Sequence, residues 1–100
     1  MTAPTAARSV LPLLPAGLAR DTHDALWQVD AALYAVYASG AAPEALPATA
    51  PPAPEDLADR AVGSGDEHAI KLTEACLRLY AQSPDPVLLH AAARASELLR

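Results

Sequence analysis

Phenylalanine is absent from this chain, and its 100 residues include one tryptophan, one methionine and one cysteine. Three tyrosines complete the aromatic set. The hydrophobic share of 52% is therefore carried mostly by small side chains, 25 of them alanine. A core of Ala, Leu and Val removes little apolar area from water per residue, so an isolated domain of this size is marginally stable. Such a composition favours a chain that leans on a partner, on its own copy or on the remainder of a larger protein. The lone Cys76 has no partner for an internal disulfide, which fits a reducing, cytoplasmic setting.

Positive charge is scarce. Six arginines and a single lysine, Lys71, face twelve acidic residues, leaving a net charge of −5. No basic stripe is available to neutralise a phosphate backbone, which argues against nucleic acid as a partner. A polybasic membrane contact is excluded for the same reason. The opening "MTAPTAARSVLPLLPAGLAR" loosely resembles a secretory signal, but Pro12 and Pro15 interrupt an apolar run far too short to span a bilayer. The Ala and Arg bias suggests high-GC bacterial coding, which explains why lysine is rare and leaves open why one is kept.

What the sequence does contain is helical periodicity, with no strand pattern. The expected fold is all-α: one unit of three to four helices with one long Pro/Ala-rich loop. Residues 1–20 are expected to be irregular or a short helix, with 9–19, broken by Pro12 and Pro15, forming at most a turn or two. A helix over 21–39 follows, with Asp21 as N-cap and Gly40 as its stop. It carries Leu26, Val29, Leu33, Val36 and Tyr37 on one face, with His23, Trp27, Asp30 and Tyr34 beside them and alanines behind. A helix apolar nearly all round is usually buried on more than one side.

Residues 40–53 form the loop; "GAAPEALPATAPPAP" holds five prolines in fifteen residues. A short helix over 54–62 starts at Pro54. The next, over 64–82, is expected to open on a capping box of Ser64 and Glu67. A last helix over 85–100 has Asp85 as cap and Pro86 in its first turn. There is no internal repeat, no Gly-rich phosphate loop and no nucleophile elbow.

The 64–82 helix offers the chemistry. His68 and Lys71 are three residues apart and project from one side, next to the apolar row of Leu72 and Leu79. Both are expected at the edge of the buried face, able to lean inward. Three readings compete. Lys71 pairs with Glu67 at i, i+4 while Glu74 pairs with Arg78, as on any solvated helix. Alternatively Lys71 is a general base or nucleophile with a pKa lowered by burial. In the third, His68 ligates a metal and Lys71, as a carbamate, supplies an oxygen that arginine cannot.

Elsewhere, Trp27, Asp30 and Tyr34 are candidates to line a pocket. His23 reads as a solvated residue at a helix start, and His90 as solvated beside Arg94 and Glu97. Cys76 reads as a small buried hydrophobe.

The stretch "GDEHAIKLTEACLRLYAQSPDP" resembles the C-terminal region of the questin oxidase-like family, oxygenases that open anthraquinone-type rings. The segment "VLPLLPAGLARDTHDALWQVDAALYAVYA" is similar to the part that precedes that motif. The resemblance implies an oxidoreductase-like chain that contributes His68 and a carbamylated Lys71 to a non-haem iron. It covers most of this chain but only the C-terminal part of a family member, whose other histidine ligands lie upstream. An isolated chain would then hold an incomplete site. The alternative is a non-catalytic interaction or dimerisation module without metal.

Overall fold

The computed structural model describes residues 2–38, 40 and 42–99, and the expected helix ends at Ser39 and Arg100 lie outside these. The protein is all-α, with five α-helices, one short 3₁₀ turn and no strand among the described residues. Where the sequence reads as one helical unit, the contacts divide the chain in two: Ala3–Glu44, and Ala45–Arg100 together with the first two residues.

The N-terminal region is more regular than its prolines suggest. Helix α1 spans Thr2–Val10, and a 3₁₀ turn follows at Leu11–Leu13 with Pro12 inside it. Leu14 is extended, at φ −91° and ψ 150°, as a residue before proline is constrained to be. Helix α2 then spans Ala16–Tyr37, with Pro15 at its N-cap. It therefore starts a turn earlier than expected, and Asp21 lies inside it rather than capping it. Proline fixes the start because its ring blocks further extension backward, while Ala16 to Arg20 are mostly good helix formers. At the other end the Ala38 N–H donates to Tyr34 O at 2.9 Å, and Gly40 takes φ 80°.

The second unit is a three-helix arrangement in which every helix packs on the other two. Helix α3 spans Pro54–Ser64, α4 Glu67–Gln82 and α5 Pro86–Leu98. Helix α3 outlasts its expected end by two residues and stops at Gly65, whose φ of 70° is open to glycine at little cost. Asp85 caps α5 by accepting from the Val87 N–H at 3.0 Å.

The core follows the helical spacing. Leu57 and Ala61 point inward from α3, Ala69, Thr73 and Cys76 from α4, and Leu89, Ala92 and Ser96 from α5. Leu57, Cys76, Leu89 and Ala92 form its centre, with Leu72, Leu77, Tyr80 and Leu88 packed around them. The largest fully buried side chains are Leu57, Thr73 and Cys76, so the alanine-rich composition yields a thin core.

In residues 3–44 the balance is different. None of the 22 residues of α2 is buried. Leu18, Trp27, Val29, Leu33, Tyr34, Val36 and Tyr37 are all exposed, and Thr5 is the one buried side chain described in this unit. Helix α2 touches the 3₁₀ turn, which leaves most of its length unpacked within the unit.

Candidate functional site

The start of α4 is built by three consecutive small or acidic residues. Ser64 ends α3 with its Oγ donating to Ala61 O at 2.7 Å and accepting from the Asp66 N–H at 3.2 Å. That commitment removes Ser64 from the capping role expected of it. Asp66 takes the role instead: its backbone is extended, and its Oδ1 accepts from the N–H groups of His68 at 2.8 Å and Ala69 at 3.1 Å. The N-cap is thus displaced by two residues, because Gly65 in the left-handed region turns the chain before α4 begins, and Ala69 at N3 cannot complete a capping box. The Ala69 and His68 N–H groups hold the Asp66 carboxyl below its ordinary pKa, with the nearby His68 ring adding to the effect.

Glu67 becomes the first residue of α4 and faces Lys71 one turn on. Lys71 Nζ donates to Glu67 Oε2 at 3.0 Å. That hydrogen bond, then the charge of Lys71 and of His68, lowers the Glu67 pKa. The His68 ring stands between the two acids, with Nδ1 3.5 Å from Asp66 Oδ1 and Nε2 4.0 Å from Glu67 Oε1. Further along, Arg78 pairs with Glu74 in the same i, i+4 pattern.

These side chains lie on water. The His68 side chain is 70% exposed and that of Lys71 58%. The inward-leaning edge expected from the neighbouring leucines is not formed: α4 turns Ala69, Thr73 and Cys76 to the core and leaves the 67–68–71 side outward. The general-base reading expected a buried amine, and the Lys71 side chain is not buried.

The iron implied by the family resemblance can be tested against this donor set. A carbamate on Lys71 places a third negative group beside Glu67 and Asp66, in place of the cation that now offsets Glu67. Among the described residues no group of three or more His, Cys, Asp or Glu side chains comes together in a way that could hold a metal ion.

The other candidates fall as follows. Trp27, Asp30 and Tyr34 share one side of α2 by their spacing, and all three are exposed. His23 is exposed, with Nδ1 3.5 Å from Asp24 Oδ1. His90 is half-buried on α5, while Arg94 pairs with Glu97 at 3.2 Å. The Cys76 thiol lies in the core, where burial pushes its pKa up and makes it a poor nucleophile.

Two features are not legible in the linear sequence. One is a shallow cleft of about 300 Å³ between the ends of α3 and α5, lined by Arg60, Gly63, Ser64, Ala93, Ser96 and Glu97. Its polar groups are largely committed: Ser64 to Ala61 O, Ser96 to Ala92 O at 3.2 Å, and Glu97 to Arg94. The other is Thr73, whose Oγ1 is buried with no hydrogen-bond partner. Its position three residues before Cys76 marks it as core-facing, but the lack of an acceptor depends on how α3 and α5 pack.

No family model matches this chain, and neither a curated protein nor a solved structure shows recognisable similarity to it.

Proposed function

We propose that this chain is a non-catalytic helical interaction module, in which α3–α5 form a self-supporting scaffold and α2 is the docking helix. One observation carries this reading: α2 presents 22 residues, rich in large apolar side chains, and buries none of them. Most helical stability in proteins comes from packing an apolar face. Contiguous exposed apolar surface of this kind marks an interaction site. The candidate catalytic groups point the same way, since His68 and Lys71 are solvated and Cys76 is inert.

Trp27 is the sole tryptophan, so it reports on α2 directly. In the dilute, monomeric chain Trp27 fluorescence is expected to be quenched freely by acrylamide. The α2 amides are expected to exchange hydrogen quickly while those of α4 are protected. A dilute monomer with Trp27 shielded and α2 protected overturns the reading, because the face is then covered from within.

The D-E-H-x-I-K resemblance supports a second reading, in which the chain supplies His68 and Lys71 to an iron site completed by another polypeptide. The observation in its favour is that both side chains are open to solvent on one side of α4, leaving room for further donors. Iron quantification on the chain purified aerobically with its natural partners tests it. If Lys71→Arg retains as much iron as the unaltered chain, Lys71 is no ligand.

A further inference from the structure

We infer that the Ala48–Thr49 bond is a processing site, hydrolysed by an endopeptidase whose specificity pocket admits only a small side chain. Residues 42–50 are all exposed and belong to no helix or strand. No hydrogen bond ties residues 45–50 to another described residue. Cutting inside a helix requires local unfolding first, and here that cost is absent. Ala48 and Thr49 form the one bend in the exposed stretch, among small residues, which is where chains are most readily nicked.

The residues of this stretch select the enzyme. No lysine or arginine lies between Arg20 and Arg60, so an enzyme that reads a basic side chain has nothing to hold here. The one large apolar residue between Ala38 and Pro54, prolines aside, is Leu46, and Pro47 follows it. Proline in that place blocks cleavage, because its ring crowds the nitrogen that must leave. The bonds before Pro43, Pro51, Pro52 and Pro54 are closed for the same reason, and those after Pro43, Pro47 and Pro52 suit only an enzyme that reads proline. What remains in 42–53 are the bonds after Glu44, Ala45, Ala48 and Thr49, three of which follow a small side chain. A small S1 pocket of the elastase kind accepts those three. Ala48 is favoured among them by what precedes it. Pro47 holds its own φ near about −65° and restricts Leu46 to extended backbone. The acyl side of the bond is thus already in the strand-like form with which an endopeptidase pairs, and less ordering is needed on binding.

In the reaction water adds across the bond. Its oxygen joins the Ala48 carbonyl carbon, the C–N bond breaks, and Thr49 leaves with the proton on its new amine. Downstream, Leu57, Cys76, Leu89 and Ala92 keep the core of α3–α5 whole. Upstream, α2 has no buried residue to lose. The cut therefore disconnects α2 from α3–α5 without entering the core. This inference is independent of what α2 docks onto, because it concerns the covalent link alone.

Limited digestion of the full chain by an elastase, read by intact mass, tests the site. The first products are expected to be residues 1–48 and 49–100, with the second persisting. Ala48→Arg should slow that cut at least about tenfold, since a small pocket rejects the larger side chain. The same variant should let trypsin cut after position 48. If trypsin leaves that position uncut, the stretch is shielded and the site is overturned. A first elastase cut within α2 or within α3–α5 overturns it as well. In extracts of the cells that make the protein, mass spectrometry of chain termini is expected to find a fragment beginning at Thr49. Chains continuous through Ala48–Thr49 and no such fragment overturn processing.

Discussion

Lys71 Nζ and Glu67 Oε2 lie 3.0 Å apart across one turn of α4, with both side chains more than half in water. Arg78 and Glu74 repeat the arrangement further along. The single lysine of the chain thus does what an arginine does on the same helix. Lys71→Arg is expected to leave the thermal midpoint unchanged within error, since exposed pairs of this kind contribute little. A marked loss of stability in that variant, measured by circular dichroism, shows that the amine has a partner arginine cannot serve.

Asp66 makes the start of α4 sensitive to acid. Its folded pKa lies below the ordinary 3.8 because the Ala69 and His68 N–H groups stabilise the carboxylate. Glu67 is lowered from 4.5 by Lys71. For a lowered folded pKa, the stabilisation is fully present above the unfolded value and is lost as pH falls through the folded one. Stability should therefore decline below about pH 4.5 and keep falling past pH 3.8. Asp66→Asn keeps a capping oxygen but removes the charge, and should flatten the lower part of that decline. An unaltered acid profile in Asp66→Asn assigns the loss to other groups.

Gly65 is the residue that separates α3 from α4. Its φ of 70° is one an L side chain adopts only under strain, while no atom lies within 4 Å of the place a Cβ would occupy. The cost of Gly65→Ala is therefore backbone strain alone, about 1–2 kcal/mol. Gly63→Ala serves as the control, because Gly63 has the same open surroundings without the positive φ. Equal thermal midpoints for the two variants contradict this account.

Thr73 carries a buried hydroxyl with no hydrogen-bond partner, in a side chain only 2% exposed. Leaving such a group unsatisfied costs about 1–3 kcal/mol of desolvation. Thr73→Val keeps the branched shape and removes the polar atom, and is expected to stabilise the α3–α5 unit by about 1 kcal/mol. In a unit of this size that raises the thermal midpoint by roughly 4–8 °C. A lower midpoint for Thr73→Val than for the unaltered chain reveals a partner for the hydroxyl in solution.

The all-α class was readable because the apolar spacing of α4 and α5 is helical and nothing alternates. Helix starts were less readable. Ser64 and Glu67 satisfy the capping pattern as letters, yet Ser64 is claimed by Ala61 O, and a left-handed Gly65 moves the cap to Asp66. Likewise Asp21 has the right type for a cap, but Pro15 sets the start of α2 earlier. The facing of His68 and Lys71 depended on which side of α4 meets α3 and α5. Alanine made this hard to read: Ala69 is buried while Ile70 is 40% exposed, so residue size misleads about direction. The exposure of α2 was invisible for a related reason, since an all-round apolar helix looks buried in sequence whether or not its partner is present.

Leu57 is the one large aliphatic side chain fully enclosed in the α3–α5 core, at 0% exposure beside Cys76, Leu89 and Ala92. Leu57→Ala is expected to cost about 2–5 kcal/mol. For a thin core this is a large share of the total stability, and partial unfolding at 25 °C is expected. Cys76 supplies the readout without a label: its thiol should react slowly with a disulfide reagent in the unaltered chain and much faster in Leu57→Ala. The same slow thiol reactivity in both chains means that Leu57 does not hold the core closed.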